Sequence, residues 1–243
     1  MTKPPAPLVA LLRTPDRPVD PYEAALEAAG FRPVSIPILD FEPAGEEALA
    51  EVLRRPEGYE GVILTSPRAA SRLVEALQQH GLDAAMWLKK TVWTVGPATA
   101  ATVAAAGFDL RGEESGEARR LAERIVAHPA TRPWLFLCGD RRRDTLPEAL
   151  HQARTPFEEL IVYQTRERAP DWSPCPSPDW VVFFSPLGVE AAMPASETEW
   201  KTAQTAAIGP TSAAALRSAG RPAAAVAESP TPAALVEAIV TPP

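Results

Sequence analysis

The chain has 243 residues, of which 46% are hydrophobic and 23% are charged, and its formal net charge is −7. These proportions are typical of a globular protein, and the acidic balance argues against a nucleic-acid partner. The two cysteines, Cys138 and Cys175, lack metal-ligand spacing and favour a reducing compartment over a disulfide scaffold. The apolar run from Leu8 to Leu12 is too short for a signal-peptide core or a membrane span. We therefore expect a cytoplasmic protein with no membrane partner.

Strand and helix patterns alternate along the chain. Asp20-Pro21 is a strong helix start, and Gly30 is a suitable end for that helix. Strands are predicted over 8–12, 32–38, 61–65, 92–95, 134–138, 160–165, 181–184, 206–208 and 223–227, with a short one near Phe108. Helices are predicted over 45–53, 69–77, 98–106, 116–127, 211–219 and 232–240, with others ending at His151 and following the 181–184 strand.

The second half of the chain repeats the order of the first. In each half a strand leads to Ser-Pro and a second strand leads to Gly-Pro, and another glycine follows 11 residues after the first, at Gly107 and at Gly220. The two copies meet at the strand that carries Tyr163, one of only three tyrosines. This arrangement indicates two similar lobes with a cleft between them, and we expect the chemistry near the strand where the copies meet.

Alternating strands and helices indicate an α/β fold with parallel sheets flanked by helices on both faces. The upstream copy is complete within residues 41–163, whereas the downstream copy lacks one strand and one helix. Residues 1–38 would supply them. We therefore predict one discontinuous lobe, built from 1–38 and 168–243, a second lobe over 41–163, and two linker segments at 39–40 and 164–167.

A strand that turns directly into a helix through Ser-Pro or Gly-Pro is predicted at five positions. Each turn should place unpaired N–H groups and the positive end of a helix dipole at the carboxyl edge of a sheet. Such ends bind anions, so a ligand with several carboxylates or phosphates is indicated. The alternative is that these dipeptides only cap helices. The turns are Ser66-Pro67, Gly96-Pro97, Ser185-Pro186, Gly209-Pro210 and Ser229-Pro230.

Individual side chains add further signals. Arg68 follows one of these turns, where a cation is disfavoured unless an anion is bound. Arg141 to Arg143 are interpreted either as partners of ligand carboxylates or as a solvated charge run. Tyr163 is either a buried tyrosine tied to the backbone or a hydroxyl that protonates a leaving group. No nucleophile triad, phosphate loop or metal-ligand cluster is visible, so we predict neither metal nor cofactor.

Seven stretches together resemble a known family. They are 65–69 (TSPRA), 95–100 (VGPATA), 138–140 with 146–150 (CGD and LPEAL), 162–165 (VYQT), 183–186 (FFSP), 207–211 (AIGPT) and 227–232 (AESPTP). They occur in the order found in the uroporphyrinogen-III synthases of heme biosynthesis, over nearly the whole chain. Their amino-acid sequence around Cys138-Gly139 and Tyr163 is most similar to that of the animal-type members.

The resemblance implies two α/β lobes joined by a two-stranded linker. It also implies a monomeric, cofactor-free lyase that closes linear hydroxymethylbilane into uroporphyrinogen III, with loss of water and inversion of the terminal pyrrole ring. Such an enzyme would hold the substrate carboxylates at helix N-termini in the cleft between the lobes. Its small-molecule substrate comes from an upstream deaminase, with which transient contact is conceivable.

The resemblance also assigns residues. Tyr163 matches the best catalytic candidate of the family. The predicted substrate-binding residues are Ser66, Arg68, Thr99, Ser185, Thr211 and Thr231. Two departures from the family pattern concern the second copy, namely Leu187, where serine is common, and the short connection over 193–205.

Two other functions compete with the synthase. A two-lobed binding or sensor protein would hold a polyanionic ligand in the same way, with Tyr163 in a structural role. A sugar- or nucleotide-phosphate enzyme of doubly wound type is disfavoured because the chain has no phosphate-binding loop.

Overall fold

A computed structural model describes residues 5–15, 19–79, 84–112 and 115–241. The contacts within the chain divide it into two compact units. The first unit contains the chain up to Asp40 and again from Arg166 onward, and the second unit is Phe41–Thr165. One of the two units is therefore discontinuous in sequence.

The strands and helices of the described residues alternate as the sequence predicts. The strands are β1 (Leu8–Leu12), β2 (Arg32–Ile36), β3 (Leu39–Pro43), β4 (Gly61–Leu64), β5 (Thr91–Thr94), β6 (Asp109–Arg111), β7 (Trp134–Gly139), β8 (Phe157–Glu167), β9 (Trp180–Phe183), β10 (Gln204–Ala207) and β11 (Ala225–Val226). The helices are α1 (Pro21–Ala28), α2 (Glu46–Leu53), α3 (Pro67–Gln79), α4 (Ala84–Leu88), α5 (Pro97–Ala104), α6 (Ala118–Val126), α7 (Thr145–Gln152), α8 (Pro186–Ala192), α9 (Pro210–Ser218) and α10 (Pro232–Val240).

The first unit contains a five-stranded sheet in the order β11-β10-β9-β1-β2. All four neighbouring pairs are parallel. Every residue of β1, which lies between β9 and β2, is buried. Leu8, Ala10 and Leu12 contribute to one hydrophobic cluster, and Val9 and Leu11 contribute to another. This alternation is expected when helices cover both faces of a sheet, because successive side chains point to opposite faces.

The second unit contains a six-stranded sheet in the order β3-β8-β7-β4-β5-β6. The pairs that join β8, β7, β4, β5 and β6 are parallel. Its central strands β4 and β7 are wholly buried. Leu135 and Leu137 belong to the cluster on one face, and Trp134 and Phe136 belong to the cluster on the other. The predicted fold class, two α/β lobes with parallel sheets flanked by helices, is confirmed.

Three local differences separate the predicted from the observed elements. The strand β3 was not expected, because Asp40, Glu42 and Pro43 have low strand propensity, yet pairing with β8 holds it in the sheet. Helix α4 was also missed, since its five residues are too few to show a helical period. Strand β8 begins at Phe157 rather than Leu160, because its amino-terminal part pairs with β7. No helix of the described residues is long and apolar enough to cross a membrane.

Four of the five Ser-Pro and Gly-Pro turns form as predicted. Helices α3, α5, α8 and α9 each begin at the proline of such a turn. The fifth turn, Ser229-Pro230, does not lead directly into a helix, because α10 begins at Pro232, as the predicted span 232–240 has it. Thr231 is the N-cap of α10, and its hydroxyl accepts a hydrogen bond from the Ala234 N–H at 3.3 Å. The side-chain acceptor, rather than the first proline in the stretch, determines where this helix starts.

The capping of α10 by Thr231 can be tested by a pair of substitutions. Thr231→Ala should lower the free energy of unfolding by about 1 kcal/mol, because it removes an N-cap. Ser229→Ala should change that free energy by less than about 0.5 kcal/mol, since Ser229 is exposed and caps no helix. Urea unfolding of the two variants measures both values. A larger loss in Ser229→Ala than in Thr231→Ala would contradict the assignment.

Candidate active site

The carboxyl edge of the second unit's sheet brings together three of the predicted site residues, Ser66, Arg68 and Tyr163. Strand β4 ends just before Ser66, and β7 ends at Gly139. Tyr163 lies on β8 and is paired with Gly139, so it lies at the same edge. Parallel pairing therefore places Ser66, Gly139 and Tyr163 side by side, although up to 97 residues separate them in sequence.

An irregularity in strand pairing determines where Tyr163 lies. Between β7 and β8 the register runs from Leu137↔Leu160 to Cys138↔Ile161 and then shifts to Gly139↔Tyr163. Val162 therefore has no partner residue on β7. Val162 is fully buried in the core, and the Tyr163 ring packs against the same core cluster. A bulge re-aims side chains locally, and here it places two consecutive side chains against one cluster.

The hydroxyl of Tyr163 is held by a serine at a helix start. It donates a hydrogen bond to the Ser66 Oγ at 3.2 Å. The same Oγ accepts a hydrogen bond from the Ala69 N–H at 3.1 Å and so caps helix α3. The Tyr163 ring is only partly buried. The phenol therefore has a defined position through Ser66 while its ring stays accessible at the edge of the sheet.

An arginine and a phenylalanine flank this phenol. The Arg68 guanidinium carbon lies 3.5 Å from the centroid of the Phe41 ring, which is a close cation–π contact. The Phe41 ring in turn meets the Tyr163 ring edge to face, with 6.0 Å between the centroids. Arg68 is thus oriented at the start of α3, where helix N–H groups and its own charge both favour an anion.

A pocket of about 390 Å³ is formed at this edge. Its polar lining contains a phenol, two hydroxyls, one carboxylate and three guanidinium groups. The lining residues are Thr65, Ser66, Val95, Gly116, Glu117, Ala118, Phe136, Gly139, Arg141, Arg142, Arg143, Leu146 and Tyr163. Two larger pockets in the same unit, about 510 and 530 Å³, are lined by neither Ser66 nor Tyr163. Of these three pockets, the 390 Å³ pocket is the one that combines the predicted catalytic residue with cationic side chains.

The three consecutive arginines of this pocket differ in their surroundings. Arg142 binds both carboxylate oxygens of Glu159, at 2.7 and 2.9 Å, and also contacts Asp144. The hydrogen bonds to Glu159 raise the pKa of the Arg142 guanidinium above its ordinary value. Arg141 and Arg143 are exposed at the pocket. Arg142 therefore has a structural role, whereas Arg141 and Arg143 are the exposed arginines of the pocket lining.

Asp140 joins the end of β7 to β8. Its Oδ1 accepts a hydrogen bond from the Thr165 N–H at 2.8 Å, and its own N–H donates to the Tyr163 carbonyl at 3.2 Å. Desolvation opposes the charged form of this carboxyl, but the hydrogen bonds from Thr165 outweigh it and lower the pKa of Asp140. Asp140 is thus an anion that fixes the backbone on both sides of Tyr163.

The other predicted substrate-binding residues lie at helix starts. Ser185 caps α8 by accepting from the Gly188 N–H at 3.2 Å, and Thr231 caps α10. Thr211 is exposed in the first turn of α9. Thr99, in the first turn of α5, has only 2% of its surface exposed. Ser66, Arg68 and Tyr163 are therefore brought together within the second unit, whereas Ser185, Thr211 and Thr231 belong to the first unit.

Comparisons with known proteins assign the chain to a family. Residues 20–237 match the family described as uroporphyrinogen-III synthase HemD. The uroporphyrinogen-III synthase of Schizosaccharomyces pombe is 32% identical, with 95% of each chain covered. That of Saccharomyces cerevisiae is 30% identical, with 95% of this chain and 94% of the relative covered.

The chain belongs to the uroporphyrinogen-III synthase family.

The solved structure of uroporphyrinogen-III synthetase from Helicobacter pylori has the same fold. It covers 97% of this chain and 98% of its own, with a TM-score of 0.62 and 18% identity. A mutant uroporphyrinogen III synthase from Thermus thermophilus gives a TM-score of 0.56 at 19% identity, with the same coverage.

Two residues around the phenol were not singled out from the sequence. Phe41 lies next to a predicted linker, where no strand was expected and nothing indicated an aromatic contact. Gly139 was part of the stretch that resembles synthases, but its role depends on the ring of Tyr163 lying against it, and that contact crosses from one strand to the next. No sequence spacing shows such a contact.

Neither metal nor thiol chemistry is indicated at this site. Among the residues that the structure describes, no three His, Cys, Asp or Glu side chains could hold a metal ion together. Cys138 and Cys175 are both buried and unbridged. Burial raises the pKa of the Cys138 thiol to about 12 and that of Cys175 to about 11.

These raised pKa values predict unreactive cysteines. The thiolate is the reactive species, and at about pH 8 a thiol with a raised pKa holds far less of it than an ordinary cysteine. We expect an aromatic disulfide reagent to label no thiol rapidly in the folded protein and two thiols after denaturation. Rapid labelling of one thiol in the folded state would contradict the burial of these residues.

Proposed function

We propose that this chain converts hydroxymethylbilane into uroporphyrinogen III, with loss of water, inversion of the terminal pyrrole ring and no cofactor. Membership in a family of cyclising lyases supports this proposal. The observation that carries the assignment of residues is the hydrogen bond from Tyr163 to Ser66, beside Arg68, at one edge of a parallel sheet. The substrate is a small molecule, a linear tetrapyrrole with many carboxylate groups.

Tyr163 would act as the general acid. The reaction begins when the bond between the terminal methylene carbon and its hydroxyl oxygen breaks, with electrons supplied by the attached pyrrole. The Tyr163 phenol donates its proton to the departing oxygen, so that water leaves. Ring closure later releases a proton from the pyrrole carbon that forms the new bond, and this proton restores the phenol. The reaction therefore needs no redox partner. The partly exposed ring and the Ser66 hydrogen bond support this role, because they hold the hydroxyl at an accessible place.

Local groups, rather than net charge, would bind the substrate. A net charge of −7 disfavours long-range attraction of a polycarboxylate. The exposed Arg141 and Arg143 would act as cationic donors in the pocket of the second unit, and Arg68 would act as one at the start of α3, beside Phe41. The N-cap of helix α5 is Gly96, which has no side chain to cap the helix, so the first N–H groups of α5 are suited to a carboxylate. Thr99 would contribute through its place in this first turn, since its side chain is buried.

Helix starts in the first unit would hold further carboxylates. The N-cap of helix α9 is Gly209, and no side-chain cap occupies the first N–H groups of the helix. Thr211 is exposed in that first turn, and Ser185 and Thr231 stand at the N-caps of α8 and α10. A flexible substrate held at several points has fewer conformations to lose before its ends react.

The remaining aspects of the organisation are also proposals. We propose lobes over 1–38 with 168–243 and over 41–163, connected by 39–40 and 164–167, which the division of contacts near Asp40 and Arg166 supports. We propose a monomer that acts in the cytoplasm, without nucleic acid and with at most transient contact to the upstream deaminase. Two free buried cysteines are compatible with a reducing compartment.

Isomer analysis of the product tests the activity directly. Hydroxymethylbilane is generated in place by its upstream deaminase, and the products are oxidised and separated by chromatography. Without a synthase the substrate closes to the non-inverted isomer I, so predominant isomer III is expected. If the folded protein gave isomer I alone, the competing function, a binding protein for a polyanion, would replace the synthase. Direct titration of the protein with a stable polycarboxylate porphyrin would then measure that binding.

Tyr163→Phe removes only the phenolic hydroxyl. We expect turnover to fall by about one to two orders of magnitude, the usual effect of losing one acid catalyst. Tyr59→Phe is the matched control, because the Tyr59 hydroxyl bonds to Glu158 at 2.6 Å and does not line the pocket. Turnover is measured as the rate of isomer III formation. Unchanged turnover in Tyr163→Phe would remove Tyr163 from the catalytic role.

Arg68→Gln removes a cation while keeping a polar side chain of similar length. We expect KM to rise about 10- to 100-fold, since a hydrogen bond to a charged group contributes about 1.5–3 kcal/mol. Arg72→Gln on the same helix is the control, because Arg72 forms ion pairs with Glu46 and Glu75. Its KM should stay within about twofold of the unmodified protein. Equal effects of the two substitutions would show that general charge, and not Arg68 in particular, matters.

A further inference from the structure

We infer that Gly139 is a positioning residue for the reaction, because its lack of a side chain provides the space in which the Tyr163 phenol lies. This inference rests on the proposed role of Tyr163 and extends it to a residue that never touches the reacting atoms. Gly139 is the last residue of β7 and is buried. It is paired with Tyr163 directly after the shift in strand register.

The space at Gly139 is taken by the reactive end of the tyrosine. A Cβ built on Gly139 would lie 2.4 Å from Cζ of Tyr163, 2.5 Å from Cε2 and 2.7 Å from the hydroxyl oxygen. These are the three nearest atoms that such a Cβ would meet, and all of them belong to the hydroxyl end of one ring. Carbon atoms in contact normally lie about 3.5–4.0 Å apart, so the ring would have to move by more than 1 Å.

The geometry around the phenol makes this movement costly for function. The hydrogen bond from Tyr163 to Ser66 is already 3.2 Å long, so a shift of this size would break it. The edge-to-face contact with Phe41 would change as well. The position of the Tyr163 ring thus depends on three residues. Ser66 and Phe41 contact it, and Gly139 leaves the space in which it lies.

Two other glycines of the same unit, Gly61 and Gly58, have different surroundings. At Gly61 a Cβ would meet the Thr91 carbonyl oxygen at 2.2 Å and the Trp134 ring at 2.6 Å, which are contacts of sheet and core. At Gly58 nothing lies within 4 Å. Gly61 is therefore required for packing, Gly58 tolerates a methyl group, and Gly139 faces the phenol proposed for catalysis.

The test is Gly139→Ala, alone and combined with Tyr163→Phe. We expect Gly139→Ala to lower kcat about 10- to 100-fold, since misplacement of a reacting group by about 1 Å has effects of this size. KM should change by less than about threefold, because the arginines and helix starts that hold the carboxylates stay in place. In the Tyr163→Phe background, the added Gly139→Ala should lower kcat by less than about twofold. Gly58→Ala is the control and should leave both constants unchanged.

Thermal unfolding supplies a second readout that does not depend on catalysis. Gly139→Ala should lower the Tm by roughly 2–10 °C through overpacking. Combined with Tyr163→Ala, which empties the space, Gly139→Ala should cause no further decrease. If Gly139→Ala alone fails to fold, the double variant should fold. Its failure would show that Gly139 is needed for reasons other than Tyr163 and would overturn the inference.

The outcomes separate the inference from the proposed function. Full activity of Gly139→Ala beside a slow Tyr163→Phe would overturn the role of Gly139 and leave that of Tyr163 intact. Multiplicative losses in the double variant would also overturn it, because the two residues would then act independently. A fully active Tyr163→Phe would overturn the role of Tyr163 itself, and with it the positioning role of Gly139.

Discussion

Parallel strand pairing is the constraint on which the candidate active site depends. Because parallel strands end at one edge, the turns after β4, β5 and β7 meet there, and Tyr163 on β8 joins them through its pairing with Gly139. The hydrogen bonds between paired strands thus fix the backbone, and the backbone limits where the side chains at this edge can lie. The bulge at Val162 then shifts the strand register by one residue. The Tyr163 phenol therefore lies against Gly139 and donates a hydrogen bond to Ser66.

An acidic protein that binds a polycarboxylate needs donors whose action is local. Backbone N–H groups at helix starts would meet this need, since their partial charges act within one turn and do not depend on net charge. Arginines add full charges, but only where their own carboxylate partners do not neutralise them. Arg142 is held by Glu159, and all three arginines of this run line the pocket. Phe41 orients the Arg68 guanidinium by stacking against it.

Much of the architecture was predictable because it follows from local rules. Apolar strands followed by prolines at helix starts predicted the alternation of strands and helices along the chain. Four of the five Ser-Pro and Gly-Pro turns formed where predicted. The fifth, Ser229-Pro230, leads into no helix directly, because α10 begins after Thr231, whose hydroxyl caps the helix by accepting from the Ala234 N–H. Strand β3 was missed because an acidic, proline-containing segment becomes a strand only when a neighbour pairs with it. Propensity describes the segment alone, and pairing overrides it.

By itself, the sequence determined the α/β class, the internal repeat, the discontinuous lobe and the selection of Tyr163, Ser66 and Arg68 as site residues. These depend on periodicity, turn chemistry and the order of short stretches, all of which are local along the chain. The tertiary structure alone decided which arginine is neutralised, that Phe41 stacks on Arg68, and that Gly139 provides the space for the phenol. Each of these joins residues from different strands or helices. Their distances follow from sheet register and packing, which no spacing in the sequence specifies.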